Sequence, residues 1–199
     1  MKRENDMSEC RFEDCDGRKG GRRLLQVSGV FYAFVAMFLW SCPAVAAQTC
    51  QSTIVASTPT SDFTDNGDGT VTDSDTGLMW KRCSEGKVWD WAGCAGAASP
   101  LTWLGALEWV AQVNSTGGFA GYTDWRVPNV KELNSIMEEQ CNYPALNTQV
   151  FPSPGDWYWS SSPFVADANQ AWATQFYNVG FIEVRPKLLY ANIRLVRGQ

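Results

Sequence analysis

The stretch Asp65-Asn66-Gly67-Asp68-Gly69-Thr70-Val71-Thr72-Asp73 concentrates carboxylate, amide and hydroxyl oxygens, the donors that hold a hard cation such as calcium. Setting Asn66 third and Asp68 fifth in a twelve-residue calcium loop makes Gly69 the sharp-turn position and Asp75 the last ligand. Asn66, Asp68 and Asp75 are therefore the candidate calcium set. Against it, Thr64 takes the first ligand position, and Asp75 stands where a bidentate Glu is usual. Thr70-Val71-Thr72 also favours strand where a calcium loop needs flanking helices. Asn-Gly and Asp-Gly meet a simpler demand, the positive φ of a tight hairpin turn. The expectation is a turn with no metal and no cofactor, with calcium as the alternative.

The chain contains no histidine, which removes the commonest general base and the commonest metal ligand. Ser160-Ser161-Ser162 has no basic partner nearby in sequence and reads as strand-end hydrogen bonding. Glu108, Asp124, Glu132, Asp156 and Glu183 are the pool from which a glycosidase pair would come, and no spacing selects two of them. The expectation is a protein that is not an enzyme. Aromatic side chains carry the other chemistry. Nine tryptophans follow residue 47, and tryptophan faces suit the apolar faces of sugar rings. Trp80, Trp125, Trp159 and Trp172 sit on apolar alternation and read as core. Trp89 and Trp91 alternate beside Lys87 in the short loop between Cys83 and Cys94, which makes these three the leading ligand-binding candidates. Trp157 and Tyr158, after Ser153-Pro154-Gly155-Asp156, are a second candidate contact.

These residues need a compartment and a frame. Arg22 and Arg23 precede a low-charge run from Leu24 to Trp40 and then Ala44-Val45-Ala46, the parts of a signal peptide over residues 1–46. A retained anchor, lipidation at Cys42 and a start at Met7 or later are the alternatives; in each, membrane contact runs only through this segment. Beyond it, nine Lys and Arg stand against fifteen Asp and Glu, a net charge of −6 that argues against nucleic acid. Cys50, Cys83, Cys94 and Cys141 are an even set in an exported chain, so disulfides are expected. Of the three possible connectivities, the short Gly-containing loop favours Cys83 with Cys94, leaving Cys50 with Cys141.

Residues 47–61 are Ser/Thr-rich without periodicity and read as an exposed linker or N-terminal strand, with the folded domain spanning 62–199. Phe63 to Trp80 reads as a β-meander. Leu101, Leu104, Leu107, Ala111 and Val113 mark one helix with a Thr102 cap. Asn129 and Glu132 mark a capping box opening a second, with Val130, Leu133, Ile136 and Met137 on one face and its end near Gln140. Short alternating strands fill the remainder.

Taken in order, Phe63 to Trp80, Gly121-Tyr122-Thr123-Asp124-Trp125-Arg126-Val127-Pro128-Asn129-Val130-Lys131-Glu132-Leu133, Phe151-Pro152, Tyr158-Trp159-Ser160-Ser161-Ser162, Ala171 to Phe176 and Ile193 to Gly198 resemble the C-terminal domain of the Legionella collagen-like adhesin family. The resemblance implies a relation to the C-type-lectin-like and formylglycine-generating-enzyme superfold: an α+β, C-type-lectin-like domain with two helices packed on irregular antiparallel strands. It implies export, surface display and binding of sulfated polysaccharide, in an adhesin that trimerises through a collagen-like stalk. The sequence here shows no Gly-X-Y repeat and is acidic; Lys81, Arg82 and Lys87, or Arg185 and Lys187, are the basic groups available for a sulfate patch. The oxidase of the superfold uses a late cysteine pair, and no cysteine follows Cys141, so that activity is not carried over.

The expected function is an exported, non-enzymatic, adhesin-like module, periplasmic, secreted or on the cell surface. It binds carbohydrate or a surface partner, and oligomers are compatible with it. The alternative is a structural or assembly component of an envelope or appendage system that binds only protein.

Overall fold

The structure is a computed structural model that describes residues 48–198. The expected signal peptide and its alternatives lie outside the described residues. Among the described residues no helix is long and apolar enough to cross a membrane. The elements are β1 (Thr49–Cys50), β2 (Phe63–Asp65), β3 (Thr70–Asp73), β4 (Met79–Lys81), β5 (Val88–Trp89), β6 (Cys94–Ala95), α1 (Trp103–Ser115), α2 (Val130–Ser135), β7 (Cys141–Asn142), β8 (Trp157–Pro163), β9 (Gln170–Gln175), β10 (Phe181–Pro186) and β11 (Val196–Arg197). The sheets are antiparallel, in the orders β11-β4-β3-β2 and β10-β9-β8 with the pairs β1-β7 and β5-β6. Two helices on antiparallel sheets make the domain α+β, consistent with a C-type-lectin-like fold.

The meander forms as its turns dictate. Asp65 Oδ1 accepts the Gly67 N–H at 2.9 Å, and Asp68 Oδ1 accepts the Thr70 N–H at 3.0 Å and its hydroxyl at 2.6 Å. Gly67 and Gly69 take φ of 78° and 87°. At the far end of β3, Asp73 accepts the Asp75 N–H at 2.9 Å and the Thr76 hydroxyl at 2.7 Å. The oxygens that suggested a cation close turns instead. Asn66 and Asp68 share the Thr70 hydroxyl in one turn, whereas Asp75 lies in the separate turn at the other end of β3, so the three residues of the calcium alternative are not gathered at one point.

Thr102 caps α1, accepting the Gly105 N–H at 3.3 Å. The fully buried face is Ala106 and Val110; of the expected stripe, Leu101, Leu107 and Val113 pack half-buried against the same cluster, whereas Leu104 and Ala111 are exposed. Trp125 and Trp159 pack in the same cluster, and rings of that size leave room for a small residue at the contact. The capping box holds at α2, where Asn129 Oδ1 accepts the N–H groups of Lys131 and Glu132 and Glu132 Oε2 accepts the Asn129 N–H. That helix ends at Ser135 rather than near Gln140, because Met137 bridges Leu146 and the Glu138 N–H turns to Ala145 O.

Two apolar clusters form the core, one around Trp80, Leu133, Phe151, Tyr158 and Phe176, the other around Trp125, Trp159, Ile193 and Leu195. The C-terminal strap runs between them: Ile193 and Leu195 enter the second cluster, while the fully buried Arg194 turns the other way, over the Phe151 ring at 4.6 Å. Its guanidinium donates to the carbonyls of Lys81 and Arg82, and burial draws its pKa down. Trp80, Trp125 and Trp159 are core as expected; Trp172 is only half-buried, edge-on to Phe164.

Residues 48–61 are largely exposed, as expected, and include the N-terminal strand β1, yet they are tied to the domain. β1 pairs with β7, and the Cys50–Cys141 disulfide crosses that pair. The buried carboxylate of Glu138 accepts the N–H groups of Ser57 (3.0 Å), Thr58 (2.9 Å) and Gln140 (2.9 Å) and the Thr58 hydroxyl (2.9 Å). The segment lacks apolar periodicity because polar bonds hold it.

Candidate functional site

The second disulfide joins Cys83 to Cys94, as expected, around the β5-β6 hairpin in which Trp89 faces Cys94 and Val88 faces Ala95. Asp90 Oδ1 accepts the N–H groups of Ala92 and Gly93 at 3.1 and 2.8 Å and so tightens the tip. This puts Trp91 at the tip with φ of 74° and 76% of its surface exposed. A left-handed φ is costly for a bulky residue and persists where the surroundings impose it.

The hairpin faces a cavity of about 360 Å³ walled by Trp89, Trp91 and Phe119, with Asp68, Lys81 and Lys87 at its edges. Gly69 forms its floor: a Cβ there would stand 3.0 Å from Trp89 Cβ and 3.2 Å from Phe119 Cζ, so the turn glycine is needed for close approach as well as for φ. Phe119 arrives from a tight turn in which it pairs with Tyr122, and Trp125 fixes it by donating its indole N–H to Phe119 O at 3.0 Å with the rings edge-on.

Two of the three walls, Trp89 and Phe119, are backed by a cation. Arg82 lies over Trp89, 3.9 Å from the ring centroid, its own donors spent on Val150 O, Gln149 O and Asp65. Lys81 lies 4.4 Å from the Phe119 centroid and pairs with the buried Glu85 at 2.7 Å, which also accepts the Trp109 indole N–H. Lys87 donates to Ser153 O at 2.8 Å. Of the basic groups available for a sulfate patch, Lys81 and Arg82 are thus spent on bracing aromatic rings. Arg185 and Lys187 likewise cover Trp157 and Trp103, at 4.0 and 4.1 Å.

The structure brings Trp89, Trp91 and Lys87 together and separates the other candidates. Tyr158 is a correction: it is fully buried, its hydroxyl bonded to Ser84 Oγ at 2.6 Å and to the Gly155 N–H at 2.8 Å. Trp157 is half-buried between Phe181 and Arg185, away from the pocket. Within the carboxylate pool, Asp124 and Glu132 are committed to arginines. A hydrogen bond from Arg197 holds the Asp124 pKa below the ordinary range. For Glu132, burial opposes ionisation, but the Arg126 fork at 2.6 and 2.7 Å and the Asn129 N–H outweigh it and the pKa falls. A wider groove of about 740 Å³ beside α1 contains this closed Arg126–Glu132 pair and no exposed aromatic ring, so chemistry rather than size places the candidate site at Trp91.

Residues 69–197 match the sequence model of the Lcl C-terminal domain. The chain belongs to the Lcl C-terminal domain family. None of the curated proteins compared with it matches. In this Lcl C-terminal domain the matched stretch opens on Gly69, the pocket floor, and takes in all three aromatic walls, whereas the strap of residues 48–61 lies outside it. Sequence reasoning missed Phe119 as a wall; its signal was the cluster of Gly117, Gly118 and Gly121, which marks a turn that displays the residue between.

Proposed function

We propose that the chain is an exported, non-enzymatic, adhesin-like module whose Trp89–Trp91–Phe119 pocket binds a saccharide. The observation that carries this reading is Trp91, a large apolar ring held in solvent at a left-handed φ by a disulfide-pinned hairpin. Aromatic faces stack on the C–H faces of sugar rings, and Asp68 and Lys87 at the rim supply polar partners for hydroxyl groups. Pinning lowers the ordering cost of binding. Because Lys81 and Arg82 are committed internally, recognition rests on stacking more than on ion pairing. Two disulfides and the family support an oxidising, extracellular setting, with residues 1–46 as the export signal.

The test is a glycan array on residues 48–199, repeated with Trp91→Ala. The expected outcome is reproducible hits that weaken at least about tenfold in the variant, the scale of one lost stacking contact. A blank array with folded protein moves the function to the envelope-assembly alternative.

A further inference from the structure

β10 is the outer strand of its sheet, paired with β9 on one side only. Lys187 donates its N–H to Asn169 O at 2.8 Å in continuation of that register, and the Gln170 N–H goes to Asp167 O, so the odd-numbered residues of β10 face β9. Alternation turns the backbone groups of Ile182 and Val184 outward. The side chains along this edge are apolar and exposed: Phe181, Ile182, Val179 before the strand, and Leu188 (84%) and Leu189 after it. Such an edge is a template for another strand.

The charges indicate which strand. Glu183 and Arg185 stand symmetrically about Val184, and neither belongs to any of the ion pairs among the described residues. The Arg185 guanidinium lies over Trp157, and its Nε finds no acceptor. We propose that β10 pairs antiparallel with β10 of a second copy about a two-fold axis at Val184. In that register Val184 exchanges both backbone bonds with its own counterpart, and the Ile182 N–H faces the Pro186 carbonyl of the second copy, which already accepts the Leu189 N–H of its own chain at 3.0 Å and takes a second donor on its other lone pair. Glu183 faces Arg185 of the second copy on both sides of the axis. Sliding the strands so that Ile182 opposes Val184 would set Glu183 against Glu183, which like-charge repulsion disfavours. Charges of one sign on an edge strand block pairing; opposite charges placed about a centre select one self-complementary register. The same register lays the Val179 end of one strand beside the Leu188–Leu189 turn of the other, covering apolar surface that the single chain exposes. The inference is independent of what the aromatic pocket binds.

Both core clusters and both disulfides lie within residues 48–198, so the segment 48–199 is the protein for the test. Sedimentation over a concentration series is expected to show a dimer. Glu183→Arg alone and Arg185→Glu alone each set like charges across the axis and are expected to weaken association at least about tenfold. An equimolar mixture of the two restores opposite pairs and is expected to form the heterodimer. Thermal melts establish that each variant is folded. A monomeric wild type, an oligomer indifferent to both substitutions, or a mixture that stays monomeric overturns the proposal.

Discussion

The Cys83–Cys94 disulfide closes a separation of 11 residues around a hairpin that shows Trp91 to solvent, whereas Cys50–Cys141 closes 91 and secures a segment whose polar groups turn inward onto Glu138. The short link restricts few unfolded conformations, about 2.8 kcal/mol on the chain-entropy estimate, and the long one about 4.6 kcal/mol. The first therefore serves mainly to hold one loop shape and the second mainly to hold the chain together. The same covalent bond is tuned by loop length and by what lies beneath it.

The largest effect that could break this comparison is removal of the long link. Cys50→Ala with Cys141→Ala is expected to cost about 4–5 kcal/mol in chemical denaturation and to leave saccharide affinity unchanged. Cys83→Ala with Cys94→Ala is expected to cost about 3 kcal/mol and to weaken binding, because the freed hairpin pays ordering entropy on contact. Equal losses of affinity in both variants would mean that the aromatic pocket depends on the whole domain rather than on its own pinned loop.

What could be read in advance follows the range of the interactions. The hairpin turns around Gly67 and Gly69, the Asn129–Glu132 capping box and the short cysteine pair are local, and each was legible from a few adjacent residues. Tyr158 was not. β8 lies between the two clusters, with Tyr158 in one and Trp159 in the other, and a strand covered on both faces carries no alternation to separate inside from outside. The Cys50–Cys141 tie of residues 48–61 was legible, but their bonds to Glu138 were not, because that acceptor lies about eighty residues away. Phe119 became a pocket wall only through Trp125 and the bare backbone of Gly69, partners that no local pattern names.

Glu138 gives the next effect. Burial opposes its ionisation, but the N–H groups of Ser57, Gln140 and Thr58 and the Thr58 hydroxyl outweigh burial and hold its pKa below the ordinary glutamate value of 4.5. A carboxylate depressed in the folded state contributes stability that is present above the unfolded value and lost as pH falls through the folded one. Acid below about pH 4.5 is therefore expected to loosen the strap first, read as faster amide exchange at Ser57 and Thr58 while the Trp80 amide stays protected. Glu138→Gln is expected to cost about 1–3 kcal/mol, by leaving buried donors poorly matched, and to flatten the pH dependence in that window. Uniform acid exchange across the domain would remove the distinction between strap and core.

The smallest change in stability carries the sharpest contrast. With φ at 74° and most of its ring in solvent, Trp91 stabilises the fold little and strains the backbone. Trp91→Gly relieves a left-handed penalty of about 1–2 kcal/mol and gives part of it back as unfolded-chain entropy, so the variant is expected to be as stable as wild type or up to about 1 kcal/mol more so. Trp91→Ala keeps the strain and is expected to melt below Trp91→Gly. Both are expected to lose saccharide binding. A residue that is costly to the fold and needed for contact belongs to a surface built for a partner. A Trp91→Gly variant clearly less stable than Trp91→Ala would show instead that the ring holds its hairpin down, and the two disulfide regions would then differ only in the length of chain they close.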